Sequence, residues 1–389
     1  MKGKKRAMKK IGIFIFYDSA GQVDDYVEVL LKSMQNIVRK LIIIINGELN
    51  CEGYNKIKEF SDSIFVRENQ GYDVGAYKDI FTERSLEDEW VNWDEIILFN
   101  DTFYGPIHPW EEIFRFMEKE EADFWGLSRH PGGGRRISTG EEMPAHIQSY
   151  FLVCKRTMFL SPFWKEFWNN LKYPRSYIDT VERFEIHFTR YFTEKGFKNS
   201  AYTDHIPIKM EKGNNPYICH FQDLICNYKF PVLKKKTICL MNLEMLNGVM
   251  DHIRKNTDYH TQLIGANASR LCRNGYMNPI APFEPDRLKE FYDMHERIFI
   301  YGHGIYGKGI SRYFEYKGWK FEGFVVSRIE PEEDRMRVSA YDDMKFQEDD
   351  GVILALGEKA FHEVYQTVKD DLSAGQLYCP QYGIEMRES

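Results

Sequence analysis

Residues 96–106, IILFNDTFYGP, end an apolar run in an amide and a carboxylate, Asn100 and Asp101. Hard oxygen ligands at a strand tip can hold Mg2+ or Mn2+ and, through the ion, a diphosphate, which makes Asp101 the candidate metal residue. On spacing alone the same two residues serve equally well to cap a turn before Gly105 and Pro106. A second group is VRENQGYDVGAYKDIF, residues 66–81. Glycines at 71 and 75 let backbone approach a ligand closely, and Asn69 and Asp73 carry groups suited to ribose hydroxyls or a base edge. A third is Glu185 in VERFEIHFTRYFTEKG, residues 181–196. Aimed into a pocket, its carboxylate can deprotonate a sugar hydroxyl; on a helix surface it would pair with a basic neighbour such as Arg190. His146, Gln148 and Ser149 form a polar cluster before the apolar YFLV, either facing the same cleft or satisfying a turn.

The elements that must position these groups are legible in the first hundred residues. The runs IGIFIFY, KLIIIIN, SIFVREN and DEIILFND read as strands, and VDDYVEVLLKSMQNIV, NKIKEF and VGAYKDIFTER as the helices between them. Strands apolar on both faces and separated by helices predict an α/β fold with a mostly parallel central sheet. Ligands in such sheets lie beyond the carboxyl ends of the strands. That rule points to Tyr17 and Asn46, which would line the nucleobase pocket were the ligand a nucleotide-sugar, and to residues 67–73 and 100–102. From His205 to Pro285 the pattern is less regular and carries no motif.

At Arg297 a new βαβ-type pattern begins, with the strand RIFIY followed by GHGIYG. Gly302, Gly304 and Gly307 have G-x-G-x-x-G spacing directly after a strand, where helix N-terminal amides bind phosphate. The next strand ends at Ser327-Arg328, where a dinucleotide ribose wants an acid, so a structural or regulatory Rossmann-like α/β domain is expected in preference to an NAD site. Two domains are therefore predicted, residues 1–285 and 286–389.

Composition narrows the function classes. Of 389 residues 43% are apolar and 29% charged, and no apolar run nears the roughly 20 residues of a membrane helix. A net charge of −7 with only short basic clusters argues against nucleic acid as a partner. The N-terminal MKGKKRAMKK runs straight into a strand without a secretory cleavage site, so a cytoplasmic location is expected. This tail and Lys234, Lys235 and Lys236 read as solvated charge runs or as contacts to anionic lipid at the inner membrane face. Seven scattered cysteines suit free thiols in a reducing compartment, and Cys219, His220 and Cys226 lack the paired spacing of a zinc site. Nothing in the sequence addresses oligomeric state.

The ordered motifs NQGYDVGAYKD, ILFNDTFYGP, ADFWGLS, HIQSYFLV, FEIHFTRYFTEKGF and FPVLKKK resemble the rhamnan synthesis F family of polysaccharide assembly proteins. The resemblance implies a GT-A-like glycosyltransferase for cell-surface rhamnose polysaccharide. Its donor would be a nucleotide-sugar, dTDP-L-rhamnose, and its acceptor a polysaccharide or lipid-linked glycan. By the family pattern Asn69, Gly71 and Asp73 hold the nucleotide. Asn100 and Asp101 stand where A-type enzymes carry Asp-x-Asp, with one carboxylate in place of two. Glu185 resembles the catalytic base of family-two inverting glycosyltransferases, with Phe184 where a second acid usually stands. Two rival readings remain: a nucleotide-sugar oxidoreductase or epimerase working through the C-terminal glycine loop, and a non-catalytic scaffold of polysaccharide assembly.

Overall fold

The computed structural model describes residues 8–83, 86, 88–134, 136, 138–238, 243–273, 285–329 and 338–379. The chain divides into two compact units, Met1–Lys235 with His252–Asn267, and Lys236–Asp251 with Ala268–Ser389. The second unit thus draws in residues ahead of the division at 285 that the sequence suggested.

The strands of the first unit are β1 (Lys10–Phe16), β2 (Lys40–Asn46), β3 (Ser63–Arg67), β4 (Glu95–Asn100), β5 (Phe103–Tyr104), β6 (Phe124–Gly126), β7 (Arg129–His130), β8 (His146–Ile147), β9 (Phe151–Lys155), β10 (Asn199–Ala201) and β11 (Leu233–Lys234). Seven of them form one sheet in the order β10-β6-β9-β4-β1-β2-β3. The isoleucine-rich runs make its centre: Ile13, Ile43 and Ile97 are fully buried, as β-branched side chains covered on both faces should be. β1 runs parallel to β2 and β4, and β2 parallel to β3. Parallel neighbours need crossovers, here the helices Asp25–Gln35, Cys51–Ile57 and Tyr72–Thr82. β9 runs antiparallel to both β4 and β6, so the sheet is mixed on that side. The register sets Ile15 beside Asn100 and Asn46 beside Arg67, which brings the carboxyl tips of β1 to β4 to one end of the sheet.

Helical residues 177–194 pack against the helix Pro162–Asn170 through aromatic rings. Phe184 is fully buried, its centroid 5.6 Å from Trp168 and 5.3 Å from Phe188. An aromatic residue here, in place of a second acid, fixes the turn whose next residue is Glu185. The interval after His205, which carries no sequence motif, contains the helices Pro216–Cys219 and Phe221–Cys226 and then β11.

The second unit has the strands β12 (Arg297–Tyr301), β13 (Gly323–Val326), β14 (Val338–Ala340), β15 (Asp350–Leu354) and β16 (Leu377–Tyr378). All pair in parallel, in the order β14-β13-β12-β15-β16. Arg297 donates from Nε and Nη2 to the buried Asp350, each at 2.7 Å, and so ties the starts of β12 and β15. The chain leaves β12 through Gly302, whose φ of 109° is closed to most side chains, and enters the helix Ile305–Lys317. A Cβ on Gly307 would lie 1.7 Å from the Gly302 carbonyl oxygen, so this glycine is required for helix and strand to approach. Among the described residues no helix is long and apolar enough to cross a membrane.

Candidate active site

β4 ends at Asn100, and the chain turns at once into β5. Thr102 donates to Asn100 Oδ1 from its backbone N–H at 3.2 Å and from Oγ1 at 2.6 Å, so Asn100 does cap a turn. Its other atom works in the opposite direction. Asn100 Nδ2 donates at 2.8 Å to Asp73 Oδ2, in the first turn of the helix Tyr72–Thr82. Burial pushes the Asp73 carboxyl above its ordinary pKa, against the lowering effect of the Asn100 hydrogen bond.

β5 pairs antiparallel with β11, Tyr104 opposite Leu233 and Phe103 opposite Lys234. This long-range pairing brings two lysines to the tip of β4. Lys235 donates from its backbone to the Thr102 carbonyl at 3.1 Å. Its Nζ lies 2.9 Å from Asp101 Oδ2, 2.5 Å from the Tyr26 hydroxyl and 4.6 Å from the centroid of that ring. Tyr26 in turn donates to Asp101 Oδ2 at 3.3 Å. Lys234 donates to Thr102 Oγ1 at 2.5 Å and sits 4.0 Å from the Tyr150 ring centroid. Only 6% of Lys234 is exposed, and burial draws its pKa down to about 7. The charges of Glu185, Asp73 and Asp101 oppose that fall.

Glu185 reaches the cluster from the wide π turn Val181–Ile186, set between the helices Tyr177–Thr180 and His187–Glu194; such turns often occur at functional sites. Its Oε1 accepts from the Ser149 backbone N–H at 2.7 Å and from Ser149 Oγ at 2.8 Å, and its Oε2 is 3.7 Å from His146 Nε2. His146 is held by Nδ1 donation to the Pro144 carbonyl at 2.9 Å and by stacking on His130 with centroids 5.1 Å apart. Gln148 is turned inward, its Oε1 accepting from Ser128 Oγ, which also meets the Tyr150 hydroxyl.

The structure therefore gathers Asp73, Asn100, Asp101, His146, Ser149 and Glu185, while the other expected residues lie differently. Asn69 is exposed in the loop before the helix. Asn46 is spent inside the protein, donating to the Tyr72 carbonyl and accepting from Arg67. Tyr17 is 48% exposed at the end of β1, beside Gly47. The space over Gly71 and Gly75 is filled by the chain itself. A Cβ on Gly71 would meet the Tyr173 ring at 2.9 Å, and one on Gly75 would meet the Gln70 carbonyl at 2.0 Å. At both positions the absence of a Cβ is what lets the chain pack this closely on itself.

Tyr26, Lys234 and Lys235 are the site residues that local sequence reasoning passes over. Reading residues 234–236 as a solvated charge run or lipid contact is corrected for the first two by burial and by Asp101. The available signal was the apolar FPVL leading into them, which makes a strand that carries lysine inward. Residues 1–7 of the basic tail, the other expected lipid contact, lie outside the described residues.

A divalent cation held through Asp101 would need further hard oxygen donors converging on it. The residues present do not fit that requirement. Asp101 Oδ2 already meets an ammonium, Asp73 is tied to Asn100 and the Val74 N–H, and Glu185 to Ser149. No group of three His, Cys, Asp or Glu able to hold a metal occurs among the described residues, Cys219 and Cys226 included.

Lys234 gives a pH prediction. The unfolded chain keeps this proton up to about the ordinary value of 10.5, whereas the folded protein releases it near 7. Between these values unfolding takes up a proton, so wild-type stability should rise with pH relative to Lys234→Met, by up to about 1.4 kcal/mol per pH unit. The variant's relative advantage is then largest at and below pH 7. Paired urea titrations at pH 7 and 9 check this; parallel curves would show that Lys234 titrates normally.

The described site belongs to an α/β protein whose polar cluster lies at the carboxyl tips of a mostly parallel sheet. Residues 41–307, more than half of the chain, match the family described as rhamnan synthesis protein F, and the chain belongs to that family. A curated relative, the uncharacterized protein y4gN of Sinorhizobium fredii, is 20% identical over 204 residues, 51% of this chain and 50% of the relative. The chain spans about half the length of that relative. Among solved structures, core-mannan synthase A from Aspergillus fumigatus in its Mn/GDP form is similar with 8% identity and a TM-score of 0.31, over 53% of this chain and 77% of that one. The 4-diphosphocytidyl-2C-methyl-D-erythritol synthase of Anaerococcus prevotii is similar with 10% identity and a TM-score of 0.31, over 50% and 88%. Likenesses this remote leave the activity to be argued from the site itself.

Proposed function

We propose that the first unit is a glycosyltransferase that moves L-rhamnose from dTDP-L-rhamnose to a growing cell-surface polysaccharide, in one inverting displacement. The observation that carries this reading is Glu185. Its carboxylate is oriented by two donors of Ser149, near the tip of β4, and its charge, with those of Asp73 and Asp101, acts on Lys234. A carboxylate so oriented can accept the acceptor hydroxyl proton as the new bond to the anomeric carbon forms. The bond from that carbon to the diphosphate breaks on the opposite face, and its electron pair leaves with the nucleotide. The groups around Asp101 hold the departing diphosphate, where charge accumulates. Tyr17, exposed at the end of β1, offers a face on which the base can stack.

For the second unit we propose a Rossmann-like module with a structural role. The parallel order of its five strands and the places of Gly302, Gly304 and Gly307 support the fold. Ser327, whose Oγ meets the Tyr301 hydroxyl at 3.0 Å, stands where a dinucleotide site wants an acid. NAD is accordingly not expected to bind.

Thermal-shift titration of the full chain with dTDP, UDP, GDP and NAD tests both proposals. The expected outcome is stabilisation by dTDP, and release of dTDP from dTDP-L-rhamnose when a glycan acceptor is added. Stabilisation by NAD alone would instead favour an oxidoreductase or epimerase working through the glycine loop. dTDP binding without any turnover would favour a scaffold.

A further inference from the structure

The ammonium groups at the tip of β4 stand where a metal-dependent enzyme would place its ion. We propose that Lys234 and Lys235 hold the leaving diphosphate in place of a divalent cation, so that donor binding needs no metal. This inference rests on the transferase reading above.

Three observations carry it. First, β11 is built to deliver these lysines. Its pairing with β5 and the Lys235 N–H bond to the Thr102 carbonyl fix their backbone against the residue that follows Asp101. Second, the Asp101 carboxylate, the one that takes the place of Asp-x-Asp, meets Lys235 Nζ at 2.9 Å. The Asp101 charge is thus matched by an ammonium in place of a metal ion, and the side chains of Lys235 and Asp101 keep 17% and 13% of their surface exposed. Third, Lys234 donates to Thr102 Oγ1, on the residue next to Asp101, and feels the charges of Glu185, Asp73 and Asp101. Lys235, and Lys234 once a diphosphate has favoured its protonated form, offer N–H donors that make charge-assisted hydrogen bonds to phosphate.

The low pKa of Lys234 supports the same arrangement. Near neutral pH this group is poised between its two forms, and an arriving diphosphate favours the protonated one. Binding above pH 7 should therefore take up a proton at Lys234. A lysine with only a structural role would show no such coupling.

The test is calorimetric titration of the full chain with dTDP, and with UDP and GDP beside it, in EDTA and again with Mn2+. The expected result is a Kd unchanged within about twofold between the two conditions, and raised about tenfold or more in EDTA by Lys235→Met. In that variant, with Asp101 released from its ammonium, Mn2+ should restore part of the affinity. Titrations at pH 8 in buffers of different ionisation enthalpy should show proton uptake in the wild type and none in Lys234→Met. Wild-type binding that requires Mn2+ would overturn the lysine pair and leave the transferase reading standing. Absence of binding by dTDP, UDP and GDP in both conditions would overturn the transferase reading itself. Because the wild-type comparison decides the metal question alone, a variant that fails to fold does not rescue the proposal.

Discussion

Glu185→Gln is expected to lower the turnover of sugar transfer by about 10^2- to 10^4-fold, the usual worth of a positioned general base. The substitution preserves shape, and the amide oxygen can still accept from the Ser149 N–H and Oγ that now hold Oε1. What is lost is the capacity to take a proton. The dTDP Kd should therefore stay within about twofold of wild type, since the loss falls on the chemical step and not on ground-state binding. Ser149→Ala removes one of the two donors and should give a smaller loss, because the backbone N–H remains to orient the carboxylate. Product release measured beside calorimetry separates the outcomes. Undiminished turnover in Glu185→Gln would place the base elsewhere, and a lost fold would appear as lost dTDP binding.

The same residue shows how far sequence reasoning reaches. Its helix is legible from the aromatic period of residues 181–196, but the π turn that aims Glu185 at Ser149 depends on tertiary packing around Phe184. The strands β1 to β4 are legible because their isoleucine runs are apolar on both faces. The antiparallel direction of β9 is not, since an apolar run has no sign. Asp101 is suggested by its place at a strand tip, whereas Lys234 reaches Thr102 across 132 positions of chain. Locally, three lysines in a row look like solvated charge; only the β5–β11 register makes the first two part of a site. Asn46 illustrates the converse, a polar residue at a strand end whose hydrogen bonds are taken by Tyr72 and Arg67. Glycine is the most ambiguous signal of all, because it announces a close approach without saying what approaches.

Gly75→Ala turns that ambiguity into the second large effect. At the end of the first turn of the helix Tyr72–Thr82 alanine is intrinsically better than glycine by up to about 1 kcal/mol, so propensity alone predicts a stabilised protein. Geometry overrides it. The added Cβ would stand 2.0 Å from the Gln70 carbonyl oxygen and 3.2 Å from the Tyr173 ring, and the first of these is backbone that cannot swing aside as a side chain does. Overpacking of this kind costs about 1–3 kcal/mol or more, so a net loss of about 2 kcal/mol is expected. For a unit of this size that corresponds to a fall in Tm of about 4–8 °C. Gly265→Ala provides the contrast. It lies exposed in the helix Thr261–Arg273 with open space around its would-be Cβ, and propensity should there act unopposed, raising stability by up to about 1 kcal/mol. Thermal unfolding of the two variants beside wild type reads both signs. The strain at residue 75 also has a functional address: relieving it shifts the helix whose first turn holds Asp73 against Asn100, and so loosens the support of the strand tip that carries Asp101. Gly75→Ala should therefore weaken dTDP binding as well, and Gly265→Ala should leave it unchanged. If both alanines stabilise, the Gln70 carbonyl has room to move, and the helix start is not the rigid support that this arrangement of Asp73, Asn100 and Asp101 requires.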